Sequence, residues 1–162
     1  MNEEHATGND RVALRNIEQQ DLPRLFNFQL DAEANRLAAT IPRNPESFKT
    51  HWENILEDPT VTVRAILVDD ELAGCISCFN MGGVNYVGYW LGQTFWGRGV
   101  ATQALTLLLS LVPLRPLQAR VAVHNIASIR VLQKCGFEIV GHQHSPSSER
   151  YKECEEAMLE LH

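Results

Sequence analysis

Val84-Asn85-Tyr86-Val87-Gly88-Tyr89-Trp90-Leu91, followed after four residues by Trp96-Gly97-Arg98-Gly99-Val100-Ala101-Thr102, decides how this chain folds. The first eight residues, rich in β-branched and aromatic side chains, read as a strand. From Val100 to Val112 the residues Ala101, Ala104, Leu105, Leu108 and Leu111 recur at helical spacing, and Pro113 stops the run. A glycine-containing loop therefore joins a strand to a helix. Glycines admit backbone conformations that other residues resist, and the first helical turn offers unpaired N–H groups and the positive end of a dipole. Such a junction suits an anion, and a pyrophosphate fits the description. A lone G-x-G is also a common plain turn, so the loop alone leaves both readings open. Two nucleotide-binding patterns are absent: there is no G-x-x-x-x-G-K, and the dinucleotide fingerprint needs a third glycine and an earlier strand.

Outward from this junction the elements alternate. Val61 to Val68 is rich in β-branched residues, Asp69-Asp70 makes a turn, and Leu72 to Phe79 completes a hairpin; Gly82-Gly83 then turns into Val84 to Leu91. Earlier still, Val12 to Arg15 reads as a strand, and Asp21 as the cap of a helix with Leu22, Leu25 and Phe26 on one face. Asn44 and Pro45 open a second helix with Phe48, Trp52, Ile55 and Leu56 on one face, closed by Pro59. Downstream, Leu117 to His124 reads as a strand, Asn125 to Cys135 as a short helix ended by Gly136, Phe137 to Gly141 as a strand, and Glu155 to Leu161 as the last strand. His142 to Arg150 reads as a polar loop and Asp31 to Asn44 shows no recognisable pattern, and the residues that choose a substrate are expected from these two segments. The expected fold is one α+β (mixed α/β) domain over residues 1–162, with residues 1–10 a flexible extension. Its centre is a mixed, mostly antiparallel sheet of about seven strands with helices on both faces.

Bulk properties agree with one globular unit. The chain has 162 residues, 44% of them hydrophobic and 21% charged, enough to bury a substantial core without metal or disulfide. No run approaches the ~18 apolar residues of a membrane span. Met1 to Asp10 lacks the basic flank and apolar stretch of a secretory signal, so the expectation is a cytoplasmic protein. Cys75 and Cys78 form a C-x-x-C within an apolar strand-like segment without a second ligand pair, and with Cys135 and Cys154 they read as reduced, structural thiols. His142 and His144 lack a third ligand, and no metal is expected. The net charge of −6 argues against direct nucleic-acid binding and leaves room for a cationic substrate.

Gly88-Tyr89-Trp90-Leu91, Trp96 to Thr102, Asn125-Ile126-Ala127-Ser128 and Leu132-Gln133-Lys134-Cys135-Gly136-Phe137 stand in an order that resembles the GNAT acetyltransferase superfamily. The resemblance spans nearly the whole chain and looks most like the branch that acetylates ribosomal-protein N-termini. Gly99 and Ala101 match the family's phosphate loop, while Trp96 replaces its usual Gln or Arg. The resemblance implies an N-acetyltransferase that moves acetyl from acetyl-CoA to a primary amine, such as a protein or peptide N-terminus, by direct attack in a ternary complex. A small amine or antibiotic as acceptor, or a non-catalytic acyl-CoA-binding regulator, are the alternatives. It further implies that backbone groups of Leu91 hold the pantetheine arm. The amides of Trp96, Gly97, Arg98, Gly99, Val100, Ala101 and Thr102 cradle the pyrophosphate, with added contacts from the Arg98 and Thr102 side chains. Asn125 bonds the pantetheine or caps its helix, and Arg130 and Lys134 approach the nucleotide phosphates.

Acyl transfer needs a neutral amine, a stabilised oxyanion and a proton for the departing thiolate. In the resembled branch the Ser of the Asn-x-x-Ser element gives that proton, which implies Ser128. A glutamate before the last strand takes the amine's proton, which implies Glu149, with Glu153 and His124 as rivals. The family's usual acid is a tyrosine near the second short helix, and none stands between Asn125 and Phe137. Tyr89 and Trp90 alternate on their strand, so one is expected in the core and the other on the acceptor side. Coenzyme A and an amine acceptor such as a ribosomal protein N-terminus are the expected partners of a monomer or homodimer.

Overall fold

A computed structural model describes residues 10–162 of the chain. The strands are β1 (Val12–Arg15), β2 (Thr62–Val68), β3 (Glu71–Met81), β4 (Val84–Leu91), β5 (Leu117–Ala122), β6 (Glu138–Ser145) and β7 (Cys154–Leu161). The helices are α1 (Leu22–Phe28), α2 (Ala32–Ala38), α3 (Pro45–Glu57), α4 (Val100–Leu111) and α5 (Ile126–Lys134), with short 3-10 turns at Gln19–Asp21 and Gln93–Phe95. The seven strands form one sheet in the order β1-β2-β3-β4-β5-β7-β6. Every pairing is antiparallel except β4 with β5.

Alternation along the strands divides the core into two layers. Ile66, Ile76, Leu105, Leu108 and Leu117 pack on the α4 and α5 side, whereas Ala65, Leu72, Leu25, Phe48 and Trp52 pack under α1 and α3. Leu105 and Leu108 are fully buried, which stabilises the fold by about 2 kcal/mol for each side chain. Helices thus cover both faces of the sheet.

Three local readings are corrected. Asp21 makes no side-chain cap of α1; its carboxylate accepts from both terminal nitrogens of Arg15 and from the Glu18 N–H. The segment 32–38 is helical, capped by the Asp31 side chain on the Glu33 N–H. It ends at Ala39 with φ 56°, where the absence of glycine hid the helix terminus. His142 to Ser145 is strand rather than loop. β6 is the sheet's edge, so its polar residues pair with β7 through backbone while their side chains face water. Of the extension expected over residues 1–10, residues 1–9 lie outside the described residues, and the Asp10 carboxylate is held by Arg98.

Candidate active site

β4 and β5 are the only parallel neighbours among the described residues, and their register rests on one pair, Tyr86 with Gln118. Beyond it the strands share no registered pair. The Gly92 N–H donates to the Ala73 carbonyl of β3, so by alternation the peptide groups of Leu91 and Tyr89 face the β5 side. The Leu91 carbonyl accepts the indole N–H of Trp96 at 3.1 Å, which folds the glycine loop back onto β4 and leaves the Leu91 N–H facing the gap.

In the loop, Gly97 (φ 73°) and Gly99 (φ 75°) both take the left-handed conformation, and Gly99 stands as N-cap of α4 with no side-chain cap bond. The N–H groups of the first α4 turn are consequently not satisfied by a cap. Arg98 turns away. Its guanidinium binds both oxygens of Asp10 at 2.9 and 3.0 Å and sits 5.4 Å from the Phe95 ring centroid. That pairing holds the Asp10 carboxyl below its ordinary range.

Across the gap, Asn125 caps α5 by accepting the Ser128 N–H at 3.4 Å. The Ser128 hydroxyl in turn accepts the Tyr89 phenol at 3.0 Å. Burial pushes the Tyr89 phenol above its ordinary value, against the opposing hydrogen bond to Ser128, so it stays protonated at neutral pH. Trp90 on the same strand donates its indole N–H to the Phe28 carbonyl at 3.0 Å, fixing the end of α1 beside the site.

These pieces enclose a cleft of about 400 Å³ whose walls include Leu91, Trp96, Gly97, Gly99, Val100, Ala101, Thr102, Asn125, Ser128 and Lys134. Ala34, Leu37 and Ala38 of α2, with Tyr89 and Trp90, form the rest of its apolar wall. Tyr89 and Trp90 both line the cleft, and Tyr89 also packs against the main core. Arg98, Arg130 and Glu149 do not line it; Arg130 and Glu149 are exposed. His124 lies outside it too, with Nε2 donating to the Arg36 carbonyl at 2.9 Å. His144 is held between Glu153 and Glu155 at 2.6 and 2.8 Å, and among the described residues no metal-binding cluster of three His, Cys, Asp or Glu occurs. The four cysteines form no disulfide. No described helix is long and apolar enough to cross a membrane.

The cleft suits a long ligand with an anionic end. Its glycine loop presents a helix N-terminus, its middle presents strand backbone, and its far end presents two hydroxyl groups. The helical form of the α2 wall and the bond of the Tyr89 hydroxyl to Ser128 escaped the sequence reading. Asp31 was a visible cap signal, whereas nothing in the local sequence around Tyr89 announces a partner 39 residues away.

Residues 11–138 match the family described as Acetyltransferase (GNAT) domain. A candidate ribosomal N-acetyltransferase of Bacillus subtilis (strain 168), YdaF, is 28% identical over 145 residues, covering 80% of this chain and 79% of that protein. Among solved structures, the spermidine N-acetyltransferase of Vibrio cholerae with CoA and spermine superposes with a TM-score of 0.76 at 17% identity, covering 93% and 95% of the two chains. RimL, the ribosomal L7/L12 alpha-N-protein acetyltransferase, in complex with coenzyme A, superposes with a TM-score of 0.73 at 20% identity, covering 91% and 92%.

Proposed function

Because the chain belongs to the GNAT acetyltransferase family and is an acetyl-CoA-dependent N-acetyltransferase, we propose that its acceptor is a protein or peptide N-terminal amine, attacked directly in a ternary complex. The observation that carries this reading is the composition of the cleft wall, which among the described residues includes no Asp or Glu. A polyamine carries several cations that need counter-charges, and the described residues of this wall supply none. An α-amine is also the easier nucleophile: with a pKa near ~7.8, about a third of it is neutral at pH 7.5, against about 0.1% of an alkylamine near ~10.4. A site without a carboxylate in its wall can use the first far better than the second. The names of YdaF and RimL point the same way.

In this reading the amides from Trp96 to Thr102 receive the diphosphate of the donor. The Leu91 N–H receives its pantetheine arm, with Asn125 beside it. Lys134, in the cleft wall, adds a positive charge toward the nucleotide, and Arg130 adds one only from outside the wall. Ser128 protonates the departing sulfur. A serine hydroxyl is a weak acid, and Tyr89 corrects this by passing its phenolic proton to Ser128 Oγ as the serine proton moves to sulfur. The phenol then recovers a proton from water. Glu149 stands in the loop between β6 and β7, so a role as base requires water between it and the amine.

The test is a panel of amines assayed for thiol release, with the wild type and Ser128→Ala. Peptide N-termini should be the best acceptors, and Ser128→Ala should slow turnover by about a hundredfold with coenzyme A affinity unchanged. Faster turnover of spermidine would replace the acceptor proposed here. Tight coenzyme A binding with no thiol release from any amine would make the chain a binding regulator.

A further inference from the structure

Two arginines, Arg43 and Arg150, are brought toward each other by a pair of backbone-stitched segments a few residues beyond the α2 wall of the cleft. The segments 39–41 and 150–152 are stitched by backbone: the Ile41 N–H donates to the Arg150 carbonyl at 2.8 Å, the Lys152 N–H to the Ala39 carbonyl at 2.8 Å, and Thr40 bridges Tyr151. This brings Arg150, from the loop before β7, to the segment that carries Arg43. Gln29, only 8% exposed, clamps the Arg43 backbone by accepting its N–H at 2.7 Å and donating to its carbonyl at 3.0 Å. Arg150 donates from Nη1 to the Ile41 carbonyl at 2.6 Å and lies 5.7 Å from the Tyr151 ring centroid, while its Nε is buried without any partner.

Lack of a carboxylate within 4 Å among the described residues is shared by Arg43 and Arg150 with Arg64, Arg115, Arg120 and Arg130. Arg11, Arg15, Arg24, Arg36 and Arg98 each have a carboxylate within 4 Å. Arg43 and Arg150 have none among the described residues, although burial works against the charge of both. Arg43, His51, Ser47, Thr50 and Asn54 line a cavity of about 460 Å³ in which Glu46 is the one carboxylate. Burial, reinforced by Arg43 and Arg150, pushes His51 down to about 4, so at neutral pH it adds hydrogen bonding without charge. In a chain of net charge −6, leaving two partly buried cations unpaired is costly, and it suits a site whose counter-charge arrives with a ligand.

Building on the amine-acceptor reading above, we propose that Arg43 and Arg150 receive a carboxylate of the acceptor, so that the enzyme favours N-termini followed within a few residues by an acidic side chain. Ala38 is a wall of the transfer cleft and Arg43 lies five residues further along, a span of at most about 17 Å, which about five extended peptide residues would cover. A guanidinium meets a carboxylate through two parallel hydrogen bonds, and the buried Nε of Arg150 has no partner among the described residues.

Two N-terminally free pentapeptide amides, Ser-Ala-Gly-Asp-Glu and Ser-Ala-Gly-Asn-Gln, test this. The acidic peptide should be acetylated with kcat/KM about tenfold higher, and the preference should shrink to about twofold or less in the Arg43→Gln, Arg150→Gln double variant. Arg150→Lys, which keeps the charge and loses the fork, should retain part of it. Coenzyme A affinity reports whether each variant is folded, and should the double variant fail that check, the Arg43→Gln single variant carries the comparison. Equal kcat/KM for the two wild-type substrates, or an undiminished preference in the folded variants, overturns the proposal.

Calorimetric binding of both peptides to the enzyme with coenzyme A separates this inference from the one beneath it. Arginine-dependent binding of the acidic peptide without thiol release retains this site and removes the transfer reading. Thiol release with no difference in binding removes this site alone. Inorganic phosphate binding in an arginine-dependent way while the peptides bind equally would assign the site to a free anion and overturn its link to the acceptor.

Discussion

Tyr89 Oη lies 3.0 Å from Ser128 Oγ and donates to it, tying the fourth strand to the first turn of the last helix. The bond joins a phenol, with an ordinary pKa near ~10, to a hydroxyl that by itself is a much weaker acid than the thiol formed when it protonates the departing thiolate in the proposed reaction. Asn125 fixes the serine from its other side by accepting its N–H, so both members of the pair are held before any substrate arrives.

Tyr89→Phe keeps the ring and removes the relay. Turnover in a thiol-release assay is expected to fall by about a hundredfold with an unchanged KM for acetyl-CoA. The Tyr89→Phe, Ser128→Ala double variant should be no slower than Ser128→Ala, because two groups on one proton path do not add. Full wild-type turnover in Tyr89→Phe would remove the phenol from the chemistry.

Gly74 sits where β3 passes β4 beside the cleft. A Cβ at this position would lie 1.9 Å from the Trp90 carbonyl oxygen and 3.0 Å from the Leu91 Cα, so Gly74→Ala must push the two backbones apart. A loss of about 3 kcal/mol in urea unfolding is expected, together with weaker coenzyme A binding because Leu91 moves. Gly88→Ala is the control, since its Cβ would find nothing nearer than Phe79 Cε1 at 3.9 Å.

Asp21 links stability to pH. The hydrogen bonds from Arg15, then the Glu18 N–H and the Arg15 charge, hold its carboxyl below the usual range in the folded state, outweighing the opposite effect of burial. Its contribution is therefore complete above the unfolded value near ~3.9 and is lost as pH falls through the lower folded value. Asp21→Asn should cost about 2 kcal/mol at pH 7 and progressively less below about pH 4. Urea midpoints of the two proteins across that range measure it, and a constant gap would contradict the linkage.

How far the sequence reaches is clearest at particular residues. Asn44 with Pro45, Asn125, and the glycines of the Trp96 to Thr102 loop act within one helical turn, and each helix they announce is present. The helix Ala32–Ala38 was missed because it ends on Ala39 in a left-handed conformation that the residue type does not advertise. β6 runs on to Ser145 because β7 offers it a pairing edge, and its polar composition reflects an edge position rather than a loop.

Apart from the helix Ala32–Ala38, the sequence by itself determined the order of elements and the glycine loop that joins a strand to a helix, since caps, turns and apolar periodicity depend on neighbours a few residues away. Only the tertiary structure decided that Tyr89 meets Ser128, that Arg98 spends its charge on Asp10, and that the segment of Arg150 is stitched to the one that leads into Arg43. Those meetings depend on sheet register and on which loops are stitched together, and both are set by packing across distances that no local pattern encodes.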